Sequence, residues 1–197
     1  MNSSKNDQGK HAHSEDNLLG KKQFLWHLAT NTTELILSDF ELSLWRVFNS
    51  FTRWQQDCEA AIASDGLIAE EIGILHIIRM GDRPKTIYEI GNFLNRTDMP
   101  NIQYTVKKLS DLGYVEKFKE KTSSQKTLAY SITKKGIENT DRFQEGRKNV
   151  LMKIFENYGT NLPIEKLKDM TTVLSLLKTI YDDAAKTTAI YRDRRDN

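Results

Sequence analysis

The chain has 197 residues, 38% hydrophobic and 28% charged, with a net charge of +2, which suits one domain, or one domain plus an extension, and a very wet surface. No apolar run approaches the roughly 18 residues of a membrane span, and the N-terminal stretch MNSSKNDQGKHAHSEDN has no apolar segment of the kind a secretory signal needs. The single cysteine, Cys58, cannot build a disulfide framework, so a cytoplasmic location is the default expectation.

In chain order, residues 1–37 read as a flexible or arm-like extension: 1–17 are polar without periodicity, and 18–37 carry an apolar stripe with weak caps. Ser38, followed three residues later by Glu41, reads as a capping box that opens a helix over 38–64. Leu44, Trp45, Phe48, Phe51, Cys58 and Ile62 recur along it at helical spacing, and Asp65-Gly66 stops it. A second helix is expected from Ala69 to Met80, ended by Gly81 and Pro84. A short third one covers TIYEIGNFLN, residues 86–95, with Ile87, Ile90 and Leu94 inward.

After the turn Arg96-Thr97-Asp98 comes a helix over 99–112, with Ile102, Val106, Leu109 and Leu112 on its inner face and Gly113 just past its end. From Tyr114 the period becomes two, and a second alternating run follows through Leu128, Tyr130 and Ile132. With the polar tip between them these runs read as a hairpin over 114–133. Thr133-Lys-Lys-Gly136 leads into a helix from Ile137 that Gly159 and Pro163 break, and a last helix spans 164–186. The remaining residues, 187–197, read as a charged, frayed tail.

Two short helices joined by a tight turn and followed by a hairpin make a winged helix-turn-helix, whose second helix enters a major groove. The fold class is therefore mainly α with a small β-hairpin wing, with the winged unit at 69–136. On a helical wheel Pro100, Gln103, Tyr104 and Lys107 lie opposite the apolar stripe, flanked by Asn101 and Lys108. Gln and Asn suit adenine, and Lys suits guanine or phosphate. Thr97, in the turn before this helix, is a further candidate DNA contact, and Asp98 is expected to cap the helix. Lys119, Lys121, Ser123, Ser124 and Lys126 sit on or near the wing tip, where phosphate or minor-groove contacts are made. Charge distribution agrees: residues 38–80 hold three basic and seven acidic side chains, whereas 81–135 hold eleven basic and six acidic. Each lysine alone would read as a solvated surface charge; their position beside one helix favours a polyanion.

The order of elements, with TIYEIGNFLN, then NIQYTVKKLSDLGYVEK, the wing and YSITKKG, resembles the MarR (multiple antibiotic resistance regulator) family of winged-helix transcription factors. The likeness covers roughly residues 38–185. It implies a homodimer formed by the first and last helices, here 38–64 and 137–186. It also implies binding to a pseudo-palindromic operator, and repression relieved by a small apolar or aromatic effector. Family wings often carry an Asp-x-Arg pattern; this tip, EKTSSQKT, has lysine and no arginine, leaving Lys121 or Lys126 as substitutes. Pro100 near the helix start and the long N-terminal extension are further departures.

The large apolar stripes of the flanking helices support dimerisation independently, although completing an intramolecular core would use them equally. Trp45, Phe48, Phe51, Trp54 and His76 are candidates to line an effector cleft, with plain core packing as the alternative. Cys58 reads as a small buried hydrophobe more readily than as an oxidation switch. His11-Ala12-His13 is the only His/Cys cluster, so no metal or other cofactor is expected. Nor does the chain carry a glycine-rich phosphate loop or a nucleophile elbow, so no enzyme activity is expected. The rival to a DNA-binding regulator is a winged helix used as a protein-interaction module, without specific DNA binding.

Overall fold

The computed structural model describes residues 27–63, 65–118, 128–158 and 163–195. They fall into two compact units, one running to Thr140 and the other starting at Asp141. The first unit opens with helix α1, Thr32–Ile62, which starts six residues before the expected Ser38. Asn31 is the true cap, its side chain accepting from the Glu34 N–H at 3.0 Å. Ser38 lies inside the helix, and its hydroxyl donates back to the Glu34 carbonyl at 2.9 Å.

Helix α2, Ala69–Arg79, is the centre of the core. Ile72, Ile74, Leu75 and Ile78 are buried on it, and Leu67 is buried just before it. Each such side chain contributes about 1.5–3 kcal/mol. Strand β1, Lys85–Thr86, leads into helix α3, Ile87–Leu94, through a capping box in which Thr86 and Glu89 satisfy each other's backbone N–H. Helix α4, Met99–Asp111, then buries Ile102, Val106 and Leu109 completely. Asn95 ends α3 in the left-handed conformation, and Gly91 lets the α3–α4 turn come close: a Cβ there would stand 2.6 Å from Met99 Cε and 3.0 Å from the Arg96 carbonyl oxygen.

Strands β2, Val115–Phe118, and β3, Ala129–Ile132, form the hairpin, in the register Val115↔Ile132 to Phe118↔Ala129. Sequence periodicity gave no sign that β1 adds to it, pairing Lys85 with Tyr130 in a sheet of order β1-β3-β2. Lys85 is buried despite its charge. Its ammonium donates to the carbonyls of Ile78 and Arg83, both at 3.1 Å, and to that of Met80. Three donors meet three acceptors beside the C-terminus of α2, where the helix dipole favours a cation.

Helix α5, Lys134–Gly146, begins where the hairpin ends. Thr133 ties the junction together: its hydroxyl donates to the Gly113 carbonyl at 2.7 Å and accepts from the Gly136 N–H at 3.2 Å. Gly136 is required because a Cβ there would lie 2.3 Å from the Tyr114 carbonyl oxygen.

In the second unit the chain widens to π-helical geometry over Arg147–Met152, continues as helix α6, Lys153–Tyr158, and ends in helix α7, Ile164–Arg195. The stretch expected to be a frayed tail is helical through Arg195. Within α7, Lys178 and Asp182 pair at one-turn spacing, and no glycine or proline follows Pro163 to stop the helix.

Candidate nucleic-acid interface

Helix α4 has two opposed faces. While Ile102, Val106 and Leu109 are sealed inward, Pro100, Asn101, Gln103, Tyr104 and Lys107 are all exposed, Tyr104 at 71%. Thr97 is exposed in the turn before them. A groove of about 450 Å³ runs between α4 and the hairpin, lined by Pro100, Gln103, Tyr104, Lys107, Lys117 and Tyr130 among others. Lys107 Nζ lies 2.5 Å from Asp111 Oδ2. Both side chains are well exposed, so the pair contributes little and leaves the lysine able to turn to a phosphate. The wing-tip candidates Lys119, Lys121, Ser124 and Lys126 lie outside the described residues.

Lys108, expected on this face, and Asp98, expected as the helix cap, do other work. Lys108 turns back from it: its Nζ reaches Glu71 Oε1 at 2.6 Å, and that carboxylate is 5% exposed. Asp98 stands at the cap position of α4 without capping it. Its carboxylate instead takes a bidentate pair of hydrogen bonds from Arg96, with Nε at 2.8 Å from Oδ1, and accepts from Asn101 Nδ2 at 3.1 Å. These bonds hold the Asp98 carboxyl well below the usual carboxylate range, Arg96 contributing most. The sequence reading missed Arg96; its place two residues before an aspartate in the helix-turn-helix turn was the available signal.

The candidate effector residues separate. A cleft of about 510 Å³ lies within the first unit, walled by α1, α2 and the α3–α4 turn. Phe48 and Phe51 line it, together with Gln55, Glu70, Gly73 and Arg96. Trp45, Trp54 and His76 are not on its walls. Core packing is not what these aromatics do either: Trp45 is 73% exposed, Phe48 66% and Phe51 51%. Trp54 packs its ring 6.0 Å from that of Phe51. His76 is half-buried, and burial together with Arg79 lowers its pKa, favouring the neutral ring. For Cys58, burial and then Glu59 push the thiol up, away from the reactive thiolate.

Among the described residues no helix is long and apolar enough to cross a membrane, and no group of His, Cys, Asp and Glu side chains is placed to hold a metal ion.

Residues 67–136 match the winged helix DNA-binding domain family. None of the curated proteins matches the chain. Solved structures do. A MarR/EmrR family transcriptional regulator from Acinetobacter sp. ADP1 is 17% identical, over 75% of this chain and 98% of that one, with a TM-score of 0.57. A mutant MarR from E. coli complexed with operator DNA is 15% identical, over 75% and 99%, with a TM-score of 0.56. A MarR family regulator from Neisseria meningitidis is 17% identical, over 75% and 96%, with a TM-score of 0.55. The chain carries a winged helix DNA-binding domain. Its fold is that of the MarR family of transcription regulators.

Proposed function

We propose that the protein is a dimeric, ligand-responsive repressor that binds a pseudo-palindromic DNA site. The solvent face of α4 carries this reading: Gln103, Tyr104 and Lys107 project from a helix whose other side is completely buried. Gln103 offers the paired donor and acceptor that adenine matches, and Lys107 and Lys117 flank it with charge for phosphates. The MarR–operator complex among the structural relatives supports the same use of the fold.

Dimerisation is supported by apolar side chains left on the surface of each flanking helix taken by itself. On α1 these are Trp45, Val47, Phe48 and Phe51; on α7 they include Val173, Leu174, Leu176 and Ile180. The effector is a small apolar or aromatic molecule seated in the cleft beside Phe48 and Phe51. It acts by favouring a form of the dimer whose two readers are misplaced for the operator.

Selection of bound sequences from a random duplex pool tests the reading. Enrichment of an inverted repeat, with affinity that falls steeply with salt, is the expected result. A pool that stays random, with binding insensitive to salt, would favour a protein-interaction module instead.

A further inference from the structure

The start of α4 is held by an unusual arrangement. Asp98 occupies the cap position, where a carboxylate ordinarily accepts from the second or third backbone N–H of the helix. The second of those residues is Pro100, which has no N–H, and the N–H of the third, Asn101, already donates to the Asp98 carbonyl at 3.0 Å. The carboxylate is therefore free for other partners. One side of it takes Arg96, and its Oδ2 also accepts from the Asn101 amide.

Arg96 does not stop at Asp98. Its Nη1 lies 2.5 Å from Glu70 Oε1, in the first turn of α2. Glu70 and Arg96 both form part of the cleft wall, and Thr105 Oγ1 of α4 lies 3.3 Å from the same Glu70 oxygen. One guanidinium thus bridges two carboxylates, one in the cleft wall and one that grips a side chain on the exposed face of the reader helix. Such a planar fork fixes direction as well as charge, which a lysine cannot do.

We propose that Arg96 is a positioning residue for DNA recognition, holding Asn101 through Asp98 and itself set by Glu70. The proposal rests on the reading of α4 as the DNA reader. Asn101 meets its base pair with one amide hydrogen committed to Asp98, so its orientation follows the carboxylate. Movement of Glu70, as when the cleft is occupied, passes through Arg96 to that orientation without Glu70 touching DNA.

The test uses the full chain and the random duplex pool, comparing base preferences of the unaltered protein with Asn101→Ala, Glu70→Gln, Arg96→Lys and the double variant Glu70→Gln/Asn101→Ala. Asn101→Ala identifies the base pair that this residue reads. Glu70→Gln, a partly exposed change that leaves the core intact, is expected to weaken preference at that same pair by about threefold to tenfold. Arg96→Lys does likewise, and in the Asn101→Ala background Glu70→Gln has no further effect there. A general loss of folding would instead lower affinity for all sequences alike. Unchanged preference at the Asn101-dependent pair in Glu70→Gln and Arg96→Lys overturns the positioning role while leaving the reader intact. Failure of the unaltered protein to enrich any sequence overturns the reader itself, and the positioning role with it.

Discussion

Lys108 lies on α4, the proposed reader helix, yet its ammonium is 2.6 Å from Glu71, a carboxylate with only 5% of its side chain exposed. Glu71 also accepts from the Ile68 N–H at 3.1 Å, closing the start of α2. Lys108 is thus an anchor of α4 on α2. Its neighbour Lys107 pairs with an exposed aspartate, Asp111.

The two lysines are therefore expected to behave differently. Lys108→Gln leaves Glu71 with an unpaired buried charge and lowers stability by about 1–2 kcal/mol, the solvent reaching Lys108 moderating the loss. It leaves the salt dependence of DNA binding unchanged. Lys107→Gln leaves stability unchanged and reduces the slope of log affinity against log salt by about 0.9, the value for one phosphate contact. Denaturant titration and binding at several salt concentrations check both. A reduced salt slope in Lys108→Gln would return that lysine to the interface.

Gly136→Ala is expected to be severe. The added methyl would stand 2.3 Å from the Tyr114 carbonyl oxygen and 2.6 Å from Ile132 Cγ1, both at the base of the hairpin. Backbone cannot yield there cheaply, because Thr133 N donates to that same Tyr114 carbonyl at 3.0 Å. A loss of about 3 kcal/mol is the expected scale for such overpacking. Thermal unfolding checks it, and a melting temperature within a degree or two of the parent would contradict the close approach.

Much of the winged unit was legible because its signals are local. The 3.6-residue stripe of α4 and the two-residue alternation of the hairpin need no knowledge of distant partners. Gly113, with its positive φ of 79°, ends α4 as a glycine can. What was missed depends on pairs far apart in sequence. β1 has only two residues and becomes a strand by meeting Tyr130 and Ala129. Lys108 and Arg96 owe their roles to Glu71 and Glu70, more than twenty residues earlier. The start of α1 was ambiguous because Asn31 and Ser38 each precede a glutamate by three residues, and only the fold shows which oxygen meets an N–H.

Glu59 predicts a pH effect on stability. It is 1% exposed near the end of α1, its Oε1 accepts from Asn139 Nδ2 at 2.9 Å, and its Oε2 has no hydrogen-bond partner among the described residues. Burial raises its pKa above the ordinary 4.5, Asp65 adds to the rise, and the Asn139 hydrogen bond opposes it. The folded chain therefore holds this proton more tightly than the unfolded chain. Stability from this group is full below the ordinary value and is lost as pH rises through the raised one. Glu59→Gln keeps the acceptor for Asn139 and removes the charge, so it is expected to be more stable than the parent at pH 7, by about 1 kcal/mol. That advantage shrinks as pH falls below the raised value. Denaturant midpoints at several pH values check this, and a constant difference at all of them would show that folding leaves the Glu59 pKa unshifted.

Gly73 offers a way to occupy the cleft without knowing the effector. It lines the cleft from α2, and a Cβ added there would meet no heavy atom within 4 Å. Gly73→Leu puts an apolar side chain into that space and replaces a helix-interior glycine, so stability is expected to rise by about 0.5–1 kcal/mol. If cleft occupancy disfavours the DNA-binding form, the variant binds the selected duplex at least fivefold more weakly while folding better. Loss of affinity and gain of stability in one protein separate coupling from damage. Unchanged affinity in a stable variant would mean that filling the cleft does not reach the reader helix, and that effector control, where it exists, enters elsewhere.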